Sequence, residues 1–189
     1  MNHKIKIIVD GKRIYTLEDI LPPKPGLKVL FIAKTPAPCS VEKGHYFQGR
    51  QGTSFWNKLT EYGLLSVPPG KFHDDYLLQH NYGITDIVKV PRNYGDEPSY
   101  EEYREGIQRI FDLIKIHKPK VVVFVYKGVL DKILELNFNI NEKSDYGFND
   151  NLNYLFEDAR VFVFPMPSTR CIREEIKRLM SELQFVLNK

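Results

Sequence analysis

Cysteine is scarce in this chain: Cys39 and Cys171 are the only two in 189 residues. That is too few for a disulfide scaffold, a four-thiolate zinc site or an iron–sulfur cluster built by this chain alone. Reduced thiols are the default. Long hydrophobic runs are missing too, none approaching the roughly 18 residues of a membrane span. The glycine-rich phosphate fingerprints GxGxxG, GxxxxGKS and GxxxxGKT do not occur, which counts against a nucleotide-binding α/β domain of those kinds. Charge of one sign is not in excess either. A net charge of +3 and a pI near 8.7 permit a polyanionic partner without demanding one. The opening MNHKIKIIVDGKR carries a charge inside its short apolar run and has no small-residue cleavage site, unlike a signal peptide, so the expectation is a soluble, cytoplasmic protein. The length suits one domain with a full core, spanning 1–189.

What is present is an alternation of two periods. KIKIIV and KRIYTL flank Asp10-Gly11, whose positive φ angles suit a tight turn, so 1–22 reads as an N-terminal hairpin extension. LPPKPG then acts as a linker. LKVLFIA (27–33) and VVVFVY (121–126) are unbroken apolar runs of the kind that parallel strands covered on both faces require. GITDIVKV (83–90), stopped by Pro91, and RVFVFP (160–165) complete the strand set. Helices fit between them: one capped by Thr53 or Ser54 and ended by Gly63, one opening at Ser99, KGVLDKILEL (127–136), and a closing amphipathic stretch from 171 to 187. The patch at 137–151 reads as an exposed excursion. Strand and helix in turn predict a three-layer α/β/α fold around a central, mainly parallel sheet of about four strands, with a core over 27–189. Sites in such sheets lie at the carboxyl ends of the strands, which singles out the loops 34–53, 91–98 and 165–169.

The order of motifs resembles the uracil-DNA glycosylase superfamily, in particular its mismatch-specific uracil and thymine-DNA glycosylase branch. There a Val-Leu-Phe strand runs into Gly-Ile-Asn-Pro-Gly, then an aromatic loop, then Phe-Trp opening a helix. Here those places hold VLF (29–31), AKTPA (33–37), HYF (45–47) and FW (55–56), with GIT (83–85) matching a later strand. The second motif, Asn-Pro-Ser-Gly, aligns with MPST (166–169). The resemblance implies a DNA glycosylase fold, uracil- or mismatch-containing DNA as partner, hydrolysis of an N-glycosidic bond by water, and neither metal nor redox cofactor. It departs at the chemistry. Thr35 stands where the family has its water-positioning asparagine, and Met166 where the second motif has its own. A hydroxyl cannot donate and accept from opposed atoms as an amide does. A non-catalytic protein binding nucleic acid or a nucleotide-like ligand on the same fold is therefore the competing expectation.

The candidate residues follow from these placements. Thr35 and Asp86 are the catalytic candidates, Asp86 as a carboxylate that activates water or as a hydrogen-bonded structural residue. Phe47 is a stacking ring for a flipped base or an aromatic pinning its loop. His45 contacts base or phosphate, or is an ordinary loop histidine. The amides of Lys34, Thr35, Ala37, Cys39 and Ser40 can cradle an oxygen anion, Pro36 and Pro38 having no N–H. For DNA phosphates the candidates are Lys34, Arg50, Arg92, Ser168, Thr169 and Arg170, the last three at the start of the closing helix, where unpaired amides favour an anion.

Overall fold

The computed structural model describes residues 1–166 and 172–188. Strands β1 (Lys4–Val9) and β2 (Lys12–Leu17) pair antiparallel about Asp10 and Gly11, whose φ angles of 49° and 72° make the expected tight turn. The remaining strands are β3 (Val29–Ala33), β4 (Tyr82–Asp86), β5 (Val121–Phe124), β6 (Gly147–Phe148) and β7 (Arg160–Val163). They form one five-stranded sheet in the order β4-β3-β5-β7-β6. The first four are mutually parallel, and β6 runs antiparallel along β7. At the opposite edge Ile20 bridges Ile84 by two 3.0 Å backbone hydrogen bonds, so the segment after the hairpin covers what would be an open edge.

The apolar runs owe their lack of alternation to helices on both faces. Val29, Phe31, Val121 and Val123 point into one core with Phe55, Trp56 and Leu59 of α2 (Arg50–Glu61) and Met180 and Leu183 of α5 (Arg173–Leu187), taking α1 as Pro38–Lys43. Leu30, Ile32, Val122 and Phe124 point into the other, against Ile107, Ile110 and Ile114 of α3 (Tyr100–His117) and Leu130 and Ile133 of α4 (Lys127–Phe138). Each strand thus buries odd and even residues alike. Helix α3 begins at Ser99 with a full capping box to Glu102.

Four boundaries differ from the expectation. The strand expected over 83–90 ends at Asp86, because from Ile87 the chain turns its amides onto the loop after β3: Ile87 N–H to Ala33 O and Val88 N–H to Lys34 O. Helix α2 starts at Arg50 rather than near Ser54, since Thr53 spends its hydroxyl on Gly49 O instead of capping. The loop 34–53 contains a short helix, α1, opened by Pro38 and ended by Gly44 at φ 72°. The expected excursion at 137–151 includes β6, held by Asn149, whose side-chain amide donates to Asp145 O and Gly147 O. No helix among the described residues is long and apolar enough to cross a membrane.

Candidate active site

The carboxyl ends of β3, β4 and β5 open into a cleft of about 1000 Å³. Its walls are the loop 34–40, Phe47 and the first turn of α2, residues 92–97, and the start of α4. Hydrogen bonds between loops set that shape. Arg92 N–H donates to Pro36 O at 3.1 Å, tying the loop after β4 to the one after β3.

Asp86, the last residue of β4, pairs in register with Ala33 and is 1 % exposed. It lines the cleft, and its Oδ2 has no hydrogen-bond partner among the described residues. Burial raises its pKa from 3.8 to about 7; Lys89 and Arg109 pull it down, and Asp19 pushes it up. Beneath it lies a charge network. Asp19 accepts from Lys89 Nζ at 2.8 Å, Arg109 Nη1 at 2.6 Å and the Thr85 hydroxyl at 2.6 Å, while the other arm of Arg109 holds the Asp86 carbonyl. Burial pushes the Asp19 carboxyl up, but the two cations outweigh it and leave the group below the ordinary range. Asp19 therefore stays ionised and opposes a second charge on Asp86.

Phe47 lines the cleft with its ring 4.8 Å from that of Phe55 and 5.8 Å from that of Trp56. Its φ of 56° lies in the left-handed region that a bulky side chain rarely takes. Gly52 makes room for this: a Cβ there would stand 2.5 Å from Phe47 Cα. Ser40 sits under the same turn and accepts from Gln48 N–H at 3.0 Å. Its own amide bonds Ala37 O inside α1, so that amide is not a free donor as expected.

Thr35, Ala37, Lys34, Arg50 and Arg92 all line the cleft. Lys34 pairs with Glu97 at 2.7 Å and Arg92 with Glu102 at 2.6 Å. Arg50 is exposed at the first turn of α2, where no acidic residue offsets the positive helix end. His45 is placed elsewhere. It does not line the cleft; its Nδ1 lies 2.9 Å from Asp74 Oδ1 and its ring stacks on Phe72 at 3.5 Å. Ser168, Thr169 and Arg170 lie outside the described residues, as do Pro167 and Cys171. Met166 is buried in the core.

This arrangement coincides with a family match: the model of the uracil DNA glycosylase superfamily matches residues 22–184. The chain belongs to that superfamily. Within the uracil DNA glycosylase fold the hairpin 4–17 lies before the matched region, yet Leu17 at its end lines the cleft. Sequence reading missed Asp19, Lys89, Arg109, Glu97 and Glu102. A signal existed only for Glu102, as the third residue of a capping box; the others are charges whose ion-pair partners lie 63 to 90 residues away.

Proposed function

We propose that the chain is a DNA glycosylase of the mismatch-specific uracil and thymine branch in which Asp86 takes the place of the missing amide as general base. The observation that carries this reading is Asp86, a buried residue lining the cleft, whose Oδ2 has no hydrogen-bond partner among the described residues and whose pKa is raised to about 7. A base poised near the working pH is what proton abstraction from water needs. A flipped nucleotide stacks on Phe47, with the sugar toward Asp86 and Thr35. Asp86 removes a proton from water, whose oxygen bonds to the sugar C1′ as the N-glycosidic bond breaks. The bond's electrons leave with the base as an anion, which the amides of Lys34, Thr35 and Ala37 stabilise until it is protonated. The Thr35 hydroxyl helps to hold the water. Arg50 and the amide end of α2 take a phosphate.

Single-turnover incubation with duplexes carrying uracil or thymine opposite guanine, hypoxanthine or xanthine, scored as abasic sites, tests it. Wild type releases at least one of these bases, and Asp86→Asn slows release by about 10²- to 10⁴-fold, the usual worth of a general base. Equal rates in the two proteins would remove Asp86 from the chemistry. Release from neither wild type nor Thr35→Asn, with duplex still bound, would favour the non-catalytic binding reading.

A further inference from the structure

Four ligating side chains that do not line the cleft converge from three separate segments. One donor atom each of His3, His45, Asp74 and Asp75 lies within 4.8 Å of all the others. His3, His45 and Asp74 are buried and Asp75 partly so. Backbone bonds bring them together: His3 N–H donates to Gly44 O at 2.9 Å, and Tyr46 N–H to Asp74 Oδ2 at 2.7 Å.

The contacts of His3 fit those of a ligating histidine. Its Nδ1 is 3.1 Å from Glu18 Oε1 and its Nε2 is 3.2 Å from Asp75 Oδ1. A neutral imidazole has one N–H and can serve only one of those carboxylates; the other contact then sets lone pair against lone pair. A metal ion on the Nε2 side would relieve that contact and leave Nδ1–H to donate to Glu18.

We propose that His3, His45, Asp74 and Asp75 bind a divalent first-row cation of the zinc class. Metal–ligand bonds of about 2.0–2.2 Å in a tetrahedron imply ligand–ligand edges of about 3.4 Å. The His45–Asp74 and His3–Asp75 contacts, at 2.9 and 3.2 Å, are already near that edge length. Two neutral imidazoles and two carboxylates balance a double positive charge, and the mixed nitrogen and oxygen set suits zinc. Glu18 on the far ring nitrogen of His3 is the outer carboxylate that orients a ligating histidine. A cavity of about 340 Å³, lined by Met1, His3, Asp74 and Asp75, gives an ion a route in. The Met1 ammonium, 2.8 Å from Asp75 Oδ1, occupies that ligand oxygen and moves aside when the ion enters. The ion is structural: it fastens the N-terminal segment and the 72–76 turn to His45, two residues before Phe47.

Protein stripped with a chelator and titrated with zinc against a chromophoric competitor is expected to bind one equivalent, with a rise in melting temperature. A Cys39→Ser, Cys171→Ser double variant binds as wild type does. His3→Gln and His45→Gln each weaken binding by at least about 100-fold, and Glu18→Gln by about 10- to 100-fold, the usual worth of an outer-shell partner. Cobalt in place of zinc gives the visible bands of a tetrahedral nitrogen and oxygen site. Circular dichroism of the metal-free proteins separates lost ligation from lost folding. Absence of one-to-one binding in stripped wild type, or binding unchanged in folded His3→Gln, overturns the proposal.

Discussion

At the scale of single residues, Asp86 carries a cost that the fold tolerates. Its carboxyl rises from 3.8 to about 7 because burial disfavours the charge, more than Lys89 and Arg109 can offset. The folded protein therefore holds a proton between about pH 4 and pH 7 that the unfolded chain releases, so this group's contribution to stability is lost as pH rises through that window. At about 1.4 kcal/mol per pH unit, the shift from 3.8 to about 7 amounts to a few kcal/mol at most. Asp86→Asn keeps the shape and removes the charge. Its melting temperature is expected to exceed wild type at pH 8, with the advantage gone by pH 4; a gain of equal size at both values would rule out the buried charge as its cause. The same titration predicts that any excision rate rises with pH to a plateau above about pH 7, with that limb absent in Asp86→Asn. Sequence placed Asp86 within a strand expected over 83–90 as a candidate; neither its position at the strand's end nor its environment was legible. Asp19 and Arg109, which set its charge balance, stand 90 residues apart, and nothing local connects them.

At the scale of elements, the legible parts were those whose burial is written locally. The parallel strands β3, β5 and β7 could be read because each is a short, largely apolar run covered on both faces, and α3 because Ser99 and Glu102 form a cap three residues apart. The turn at 44–52 was not legible in the same way. Its conformation depends on a glycine in one element and an aromatic in another: Gly52 in α2 has no Cβ, so the backbone of Phe47 can pass at close range in the left-handed region. His45 was beyond reach as well, since its partner Asp74 lies 29 residues on and draws the ring away from the cleft. The Gly52 contact is testable. In Gly52→Ala the new methyl meets Phe47 backbone at 2.5–2.6 Å, where no flexible side chain can yield. The turn must shift, at a cost of about 1–3 kcal/mol typical of overpacking. Thermal melts should show that loss, and affinity for a duplex with a flipped-out base should fall with it; full stability in Gly52→Ala would mean that the left-handed Phe47 does not depend on the missing side chain.

At the scale of the whole molecule, the charge around the cleft is nearly balanced. Lys34, Arg50, Arg92, Lys132 and Lys143 line it, but Lys34 is held by Glu97, Arg92 by Glu102, Lys132 by Glu135 and Lys143 by Asp131. Among the described residues Arg50 alone of the five is in no ion pair. Glu97 and Glu102 stay ionised near neutrality: burial raises both, but hydrogen bonds from Lys34 and Tyr103 to the first, and from Arg92 to the second, leave each below the ordinary range. A phosphate approaching Lys34 or Arg92 must therefore displace a carboxylate before it gains a cation. Counterion release scales with the phosphates neutralised, so the slope of log affinity against log salt for duplex DNA should be shallow, about −1 to −3. Glu97→Gln and Glu102→Gln each free one cation. Fluorescence anisotropy across a salt series should then find tighter binding at low salt and a slope steeper by about one for each substitution. Unchanged slopes in both variants would mean that Lys34 and Arg92 meet no phosphate, and would move the DNA path to Arg50 and the amide end of α2.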